Sequence, residues 1–316
     1  MNLFGLDIGV HVTKVNGVFV TQDPLWPETE LLTKINLMGL ENIIIVINGD
    51  YPERIEIKDN VHKIFIGYNS GGAGGFSKGF HYSLALKSDF TWTSDDDSKF
   101  EDAKIIKELL SVSIRNNLDI CSPINTDSTD KSKVAFPYRR FLVRIWNKKR
   151  LKRQKLIKGQ IHLFNGALFK NSLIAKIGTP NDRLFIRGDE REYLLRAKAN
   201  GALFATTTNV EIIHPPGSQE FFYPYRNLPG IPIPHSQEKF AYYLRNRGYI
   251  TRKYRRLDWL IVDILRYTIL FFRMGTKDEV IQSCIRTYWL GVSQNLEITP
   301  EIPNRAWLRI NSARWN

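Results

Sequence analysis

Asn42-Ile43-Ile44-Ile45-Val46-Ile47 reads as a continuously apolar β-strand that ends at the turn-forming Asn48-Gly49-Asp50. A strand that is apolar at every position is buried on both faces. This predicts a mostly parallel sheet sandwiched between helices and joined by right-handed crossovers. Outward from it, Val15 to Val20 is a similar run stopping at Thr21-Gln22-Asp23-Pro24, and Glu28 to Met38 has helical spacing through Leu31, Leu32, Ile35 and Leu37. Lys63 to Tyr68 is strand-like, and so is Phe90 to Thr93. The fold class expected is therefore α/β and Rossmann-like. Ligands of such sheets sit outside the carboxyl ends of the strands, so the segments after Val20, Ile47, Ile66 and Thr93 are expected to converge on one crevice.

Two of those segments carry chemistry. The first is Thr93-Ser94-Asp95-Asp96-Asp97-Ser98-Lys99, where a strand end delivers three adjacent acids to a loop. Neighbouring carboxylates repel, and in a chain of formal charge +13 a bound divalent metal is the simplest cation to place among them. A solvated acidic turn or a helix N-terminus accounts for the same letters, since Glu101 and Asp102 follow. The second is Asn69-Ser70-Gly71-Gly72-Ala73-Gly74-Gly75-Phe76-Ser77-Lys78-Gly79. Glycine at that density lets backbone face a nucleotide closely or begin a tightly packed helix. It is neither the dinucleotide fingerprint nor a P-loop, because no Gly-Lys-Ser/Thr occurs.

Together, Asn-x-Gly-Gly-Ala-Gly-Gly-Phe and a strand ending in Asp-Asp-Asp resemble the metal-dependent GT-A glycosyltransferases of family two. The likeness is to the bacterial galactofuranosyltransferase and rhamnosyltransferase branch that builds surface polysaccharides. The resemblance implies that Asp95 and Asp97 hold Mn2+ or Mg2+ against the diphosphate of a nucleotide-sugar donor, with Asp96 between them. It also implies donor contacts from Thr21, Asp23, Asn48, Asp50, Asn69, Gly72 and Gly75. Thr21-Gln22-Asp23 stands where relatives usually read Thr-Tyr-Asn-Arg, and Ile47 replaces an aspartate that commonly contacts the base. That contact would pass to Asp50, Asn69 or backbone.

Downstream, Leu184-Phe185-Ile186-Arg187-Gly188-Asp189-Glu190-Arg191-Glu192-Tyr193-Leu194-Leu195-Arg196 reads as a short apolar run, a turn and a helix. Asp189 suits the N-cap, Glu190 the first turn, and Glu192 and Arg196 are spaced to pair. A well-capped surface helix explains this without chemistry. A carboxylate held ionised at a helix start could equally take a proton from an acceptor hydroxyl. The stretch resembles the acidic pair of the same family, which implies Asp189 as supporting acid and Glu190 as catalytic base. His214 ends a strand-like Val210-Glu211-Ile212-Ile213, and a lone histidine there is ordinarily structural. By resemblance it completes the metal site with Asp95 and Asp97. His11, His62 and His235 have no such neighbours. The implied reaction is a single displacement with inversion, and no Ser-His or Cys-His nucleophile arrangement stands out.

The remaining features bound compartment and partners. A chain of 316 residues, 43% hydrophobic and 12% aromatic, can bury a sizeable core. Cys121 and Cys284, far apart, indicate no disulfide framework and fit a reducing cytosol. Met1-Asn2-Leu3-Phe4-Gly5-Leu6-Asp7 shows no signal-peptide pattern. Net positive charge calls for a polyanionic partner. No nucleic-acid-binding signature is visible, and the basic residues gather in the second half, at Lys148-Lys149-Arg150-Leu151-Lys152-Arg153-Gln154-Lys155 and from Arg252 onward.

Glu101 to Asn117 should form a helix, Asp119 to Ile124 a buried strand and Asn125 to Lys133 a surface loop. Aromatic clusters follow at Phe221 to Asn227 and Tyr242-Tyr243-Leu244-Arg245-Asn246. The second resembles a segment beyond the catalytic domain of the rhamnosyltransferase-like branch, although packing between helices explains most of these side chains. Arg252 to Arg273 is too charged internally to span a bilayer and reads either as an amphipathic interfacial helix or as a buried one.

The expected organisation is a catalytic domain over 1–215 and a helical region over 216–316 that meets the acceptor or membrane. The resemblance implies transfer of galactofuranose from UDP-galactofuranose to a glycan or polyprenyl-diphosphate-linked glycan. A rhamnosyltransferase using dTDP-rhamnose is the alternative. Such an enzyme would be cytoplasmic and peripheral at the inner face of the membrane. A sugar nucleotidyltransferase would need more basic residues beside the glycine loop than Lys78, and a nucleic-acid-binding protein would need a recognition motif.

Overall fold

A computed structural model describes residues 13–140, 143–222, 230–275 and 278–312. The amino-terminal reading of Met1 to Asp7, His11 and the aromatic stretch Tyr223 to Asn227 lie outside the described residues.

Eleven strands among the described residues form one sheet. They are β1 (Val15–Thr21), β2 (Asn42–Ile47), β3 (Arg54–Lys58), β4 (Val61–Phe65), β5 (Phe90–Asp95), β6 (Ile120–Asp127), β7 (Lys133–Arg140), β8 (Val143–Asn147), β9 (Leu156–Lys158), β10 (Leu168–Lys170) and β11 (Phe204–His214). The order is β3-β4-β2-β1-β5-β10-β6-β11-β9, with β7 and β8 branching from β6. The pairs β1–β2, β1–β5, β2–β4 and β6–β11 are parallel, whereas β3, β9 and β10 run antiparallel to their neighbours.

The helices are α1 (Thr29–Asn36), α2 (Gly71–Ala85), α3 (Ile105–Asn116), α4 (Lys148–Leu151), α5 (Asn171–Ile177), α6 (Asp189–Ala199), α7 (Gln237–Lys253), α8 (Leu257–Met274), α9 (Asp278–Val292) and α10 (Asn304–Ser312).

The apolar run of β2 divides residue by residue between two cores. Ile43, Ile45 and Ile47 pack on one face of the sheet with Phe19, Trp92 and Leu109, while Ile44 and Val46 pack on the other with Val18, Val20 and Phe80. Burying each such side chain contributes about 1.5–3 kcal/mol. The glycines of α2 let that helix lie close on β1: a Cβ on Gly75 would come 2.4 Å from Val20 Cγ1, and one on Gly79 would come 2.2 Å from Val18 Cγ1. Of the two readings of this segment, the tightly packed helix is the one seen.

Several expectations are corrected. β6 continues to Asp127, so the surface loop begins at Ser128 rather than Asn125. Asn125 and Thr126 stay buried because Asn125 Nδ2 donates to the Asn165 carbonyl and Thr126 Oγ1 to Glu211 Oε2, each at 2.8 Å. Lys148 of the basic tract lies in α4 and pairs with Glu211 at 2.9 Å. The helix expected from Glu101 starts at Ile105, and Asp102 Oδ1 accepts from the Lys104 amide just before it.

A third core, built from Phe240, Leu244, Tyr267, Leu270, Val280 and Trp307, holds the carboxyl-terminal helices together. α8 buries one stripe and leaves Leu257, Ile261, Ile264, Leu265 and Phe272 more than half exposed. No helix among the described residues is long and apolar enough to cross a membrane.

Candidate active site

The carboxyl ends of β1, β2, β4, β5 and β11 open on one side of the sheet, and the segments beyond them line a single cleft. β5 ends at Asp95, so the first of the three acids closes the strand and the next two begin the loop. That loop is tied to β11 by a two-way backbone pairing of Lys99 and Ile213, both N–O distances being 2.8 Å. The pairing sets Asp97 beside His214, with Asp97 Oδ1 3.2 Å from His214 Nε2. On the other side of the imidazole, Nδ1 lies 2.7 Å from the Pro215 carbonyl. A carbonyl only accepts, so Nδ1 carries the proton and Nε2 is left to face the acids.

Asp95, Asp97 and His214 each offer a ligand atom, and these atoms lie within 4.8 Å of one another. Two carboxylates and an imidazole are a donor set that suits Mn2+ or Mg2+. The electrostatics favour a cation as well. Burial, then the charges of Asp97, Glu190, Asp96 and Asp189, push the Asp95 carboxyl well above its ordinary range. Burial alone would lower the His214 pKa, but hydrogen bonding and charge from Asp97 carry it upward. A divalent ion would relieve the repulsion among the acids.

Asp189 and Glu190 reach the same cleft from the start of α6. The residue at the cap position is Gly188, not Asp189 as the sequence suggested, and its φ of 110° is one that glycine adopts without strain. Asp189 is buried. Burial pushes its carboxyl up to about 6, and burial followed by the charge of Asp189 pushes Glu190 up to about 7. Oε1 of Glu190 is buried with no hydrogen-bond partner among the described residues. An unsatisfied carboxylate oxygen in a cleft, with a pKa near neutrality, is equipped to accept a proton from a bound hydroxyl.

The donor-contact candidates fall into two groups on the strand ends. Thr21 Oγ1 donates to Asp96 Oδ2 at 2.6 Å and accepts from the Asp23 amide at 3.0 Å. Asn48 is buried, donates from Nδ2 to the Gly71 carbonyl and accepts at Oδ1 from the Ser70 amide, both at 2.8 Å. Asn69 Oδ1 accepts from the Gly71 amide at 2.9 Å. These asparagines spend polar atoms on shaping the entry to α2. Asp23, Asp50 and Asn69 are exposed, and the loops of Asp23 and Asp50 are neighbours, since a Cβ on Gly49 would lie 3.9 Å from the Gln22 carbonyl oxygen. A Cβ on Gly72 would lie 3.9 Å from Asp189 Oδ2. Gly75 makes its close approach to β1, away from open space.

Sequence reasoning missed what holds Asp189 and Glu190 in place. Arg245 and Asn246 of α7 are buried, and the Asn246 amide and Arg245 Nη2 donate to carbonyls of the loop leading into α6, while Arg245 Nη1 donates to the Leu296 and Ile298 carbonyls. Asn246 Nδ2 lies 2.7, 2.9 and 2.8 Å from the oxygens of Leu184, Ile186 and Arg187, and Arg245 Nη2 is 2.8 Å from that of Arg183. Glu192, also fully buried, joins α6 to α7: it accepts from Arg196, Lys253 and Tyr254, each at 2.8 Å. The adjacent Arg-Asn pair was the available signal, but its partners lie about sixty residues away in sequence. Lys239 of α7, in electrostatic reach of Asp97, was not anticipated either.

No protein-family model matches the chain. It is 36% identical over 262 residues to galactofuranosyltransferase GlfT1 of Mycobacterium tuberculosis, covering 79% of this chain and 86% of that protein. It is 34% identical to galactofuranosyltransferase GlfT1 of Mycolicibacterium smegmatis, covering 70% and 78%. With dTDP-rhamnosyl transferase RfbF of Shigella flexneri the identity is 25% over 76% of this chain and 81% of that one. Among solved structures, S. aureus TarS 1-349 is similar with a TM-score of 0.52 at 13% identity, covering 96% of this chain and 87% of that chain. That likeness shows the fold, a GT-A-like α/β sheet flanked by helices.

Proposed function

The chain belongs to the galactofuranosyltransferase family of glycosyltransferases, and on that premise we propose that it is a metal-dependent, inverting enzyme of family two. Its donor is UDP-galactofuranose and its acceptor a glycan, free or carried on a polyprenyl diphosphate, in bacterial surface polysaccharide synthesis. The observation that carries this reading is the meeting of Asp95, Asp97 and His214 within 4.8 Å, in the same electrostatic neighbourhood as Glu190.

Asp95, Asp97 and His214 would hold Mn2+ or Mg2+, which supplies positive charge against the departing diphosphate. Glu190 accepts the proton of the acceptor hydroxyl at its unpartnered Oε1. Asp189 raises the proton affinity of Glu190 through its charge. Thr21 steadies Asp96, and Asn48 with Asn69 shapes the turn into α2 near the nucleotide. One carboxylate taking a proton while an alcohol displaces the diphosphate inverts the anomeric centre without a covalent intermediate.

We assign catalysis to 1–215 and acceptor handling to the helices of 216–316, whose side chains form a core of their own. The exposed apolar face of α8 supports attachment at the cytoplasmic surface of an anionic membrane, where a lipid-linked acceptor would be met.

The experiment is a panel of sugar nucleotides, each assayed with EDTA and with Mn2+ restored. UDP-galactofuranose should be consumed, and only with the metal present. Preference for dTDP-rhamnose would move the chain to the activity named for the Shigella relative, and turnover of no donor would reject the transferase reading.

A further inference from the structure

Trp259, in the first turn of α8, is surrounded by guanidinium groups. The Cζ atoms of Arg247, Arg256 and Arg191 lie 3.8, 4.4 and 4.9 Å from its ring centroid. Arg139 is in electrostatic reach of Arg191 and Arg247, and Arg144 and Arg266 are in reach of Arg139. Two carboxylates are paired with this group among the described residues. Asp263 takes Arg247 at 2.6 and 3.1 Å and lies 3.9 Å from Arg266, and Asp258 takes Arg256 at 2.8 Å. Arg144 Nη1 and Arg266 Nε are buried with no hydrogen-bond partner among the described residues.

An aromatic face orients guanidinium groups but does not neutralise them. Like charges crowded at this density repel; Asp263 and Asp258 answer Arg247 and Arg256, whereas Arg139 and Arg191 have no carboxylate ion pair among the described residues. Planar donor forks match the oxygens of phosphate, two at a time. Arg191 is exposed, lies over Trp259 of the helical region and is in electrostatic reach of His162, as is His214 of the metal-ligand group, so the arginines border the cleft. Asp95 closes β5 and Asp96 and Asp97 begin the loop after it, so these acids come from a different element than the arginines.

We infer that Arg191, Arg247 and Arg256, arranged around Trp259 with Arg139 in their electrostatic reach, form a second phosphate subsite that holds a phosphate or diphosphate ester on the acceptor. It is separate from the place of the donor diphosphate. The word acceptor rests on the transferase reading, but the binding of the anion does not. Held there by its ester group, an acceptor presents a sugar hydroxyl toward Glu190. The same chemistry could arrive on a soluble phosphorylated compound or as a lipid headgroup.

The test is calorimetric titration of the full chain with inorganic pyrophosphate, in EDTA and at low ionic strength. Wild type should bind saturably, and Arg191→Gln should bind roughly tenfold or more weakly. Arg191→Lys, which keeps the charge and loses the fork, should fall between them. Asp97→Asn should bind no more weakly than wild type. Absence of binding in wild type, equal binding in Arg191→Gln, or loss of binding in Asp97→Asn would each overturn the subsite.

Competition separates the sources. Displacement of pyrophosphate by soluble geranyl diphosphate supports an ester subsite, whereas displacement only by phosphatidylglycerol vesicles makes it a membrane contact and overturns the acceptor assignment. Neither donor nor cation is in the titration, so a failure of sugar transfer and a failure of this subsite are read apart.

Discussion

Asp97 Oδ1 and His214 Nε2 stand 3.2 Å apart although one lies past the end of β5 and the other closes β11. The Lys99–Ile213 backbone pairing holds them there, so the pair is built by the sheet and not by a flexible loop. Removing the imidazole in His214→Ala should weaken Mn2+ affinity by about tenfold or more, by analogy with the loss of metal-site partners. Mn2+ titration by electron paramagnetic resonance checks this, and unchanged affinity would remove His214 from the ligand set.

The acids of the cleft also predict a pH-dependent response to metal. Asp189 near 6, Glu190 near 7 and Asp95 well above its usual value all favour their protonated forms in the fold. The stability that Asp189 and Glu190 contribute is fully present below the unfolded carboxylate range and is lost as pH rises through about 6 to 7. Mn2+ compensates the exposed repulsion, so the rise in Tm that it causes should be larger at pH 8 than at pH 5. Differential scanning fluorimetry at the two pH values measures it, and an equal rise at both would contradict the proposed cluster.

Glu190 must be ionised to accept a proton, so transfer should rise with pH along an acid limb. Without metal the group titrates at about 7, pushed up by burial and then by Asp189. A cation in the cleft lowers it, which places the limb at or below about 7. Glu190→Gln should retain donor binding, lose the limb and transfer about 10²–10⁴-fold more slowly. The kcat–pH profile of both proteins is the measurement.

Much of this was legible from residue order, for reasons that can be named. Ile43 to Ile47 announced a two-faced strand because isoleucine and valine at every position have no polar side to turn to water. The acids after Thr93 stood out because repulsion in an otherwise basic chain needs a counter-charge. The strands β9 and β10, three residues each, left no periodicity to read, and they are strands only because longer neighbours pair with them. Asn125 and Thr126 looked like loop residues because their hydrogen-bond partners, Asn165 and Glu211, are distant in sequence. The role of Arg245 was hidden for the same cause: a buried guanidinium is stable only where carbonyls converge on it, and those carbonyls belong to other segments.

Asn246 supplies the clearest test of the clamp on α6. Its two amide hydrogens are shared among three loop carbonyls; the Leu184 carbonyl also accepts from the Ile186 amide at 2.7 Å, but Asn246→Ala removes the side-chain donor from the part-buried Ile186 and Arg187 carbonyls, at a cost of about 1–3 kcal/mol. Asp189 and Glu190 lose their support, so kcat should fall more than donor affinity. Denaturant unfolding and steady-state kinetics check the two parts, and a stable variant with normal kcat would show that the clamp is dispensable.

Two glycines with similar backbone angles should behave differently. Gly71 has φ +67°, and a Cβ there would meet the Phe185 carbonyl oxygen at 2.1 Å; Gly39 has φ +74° with nothing within 4 Å. Gly39→Ala should cost about 1 kcal/mol from backbone strain alone. Gly71→Ala must also displace the loop that precedes α6, and should cost about 3 kcal/mol or more. Comparable unfolding midpoints for the two variants would argue against this packing.

The most direct test of a cleft shared by a cation site and a base is to separate the two functions in paired variants. Mn2+ binding and sugar transfer from UDP-galactofuranose would be measured in wild type, Asp97→Asn and Glu190→Gln. Both variants should fail to transfer, with metal binding lost in Asp97→Asn and kept in Glu190→Gln; transfer at the wild-type rate by either variant would contradict it.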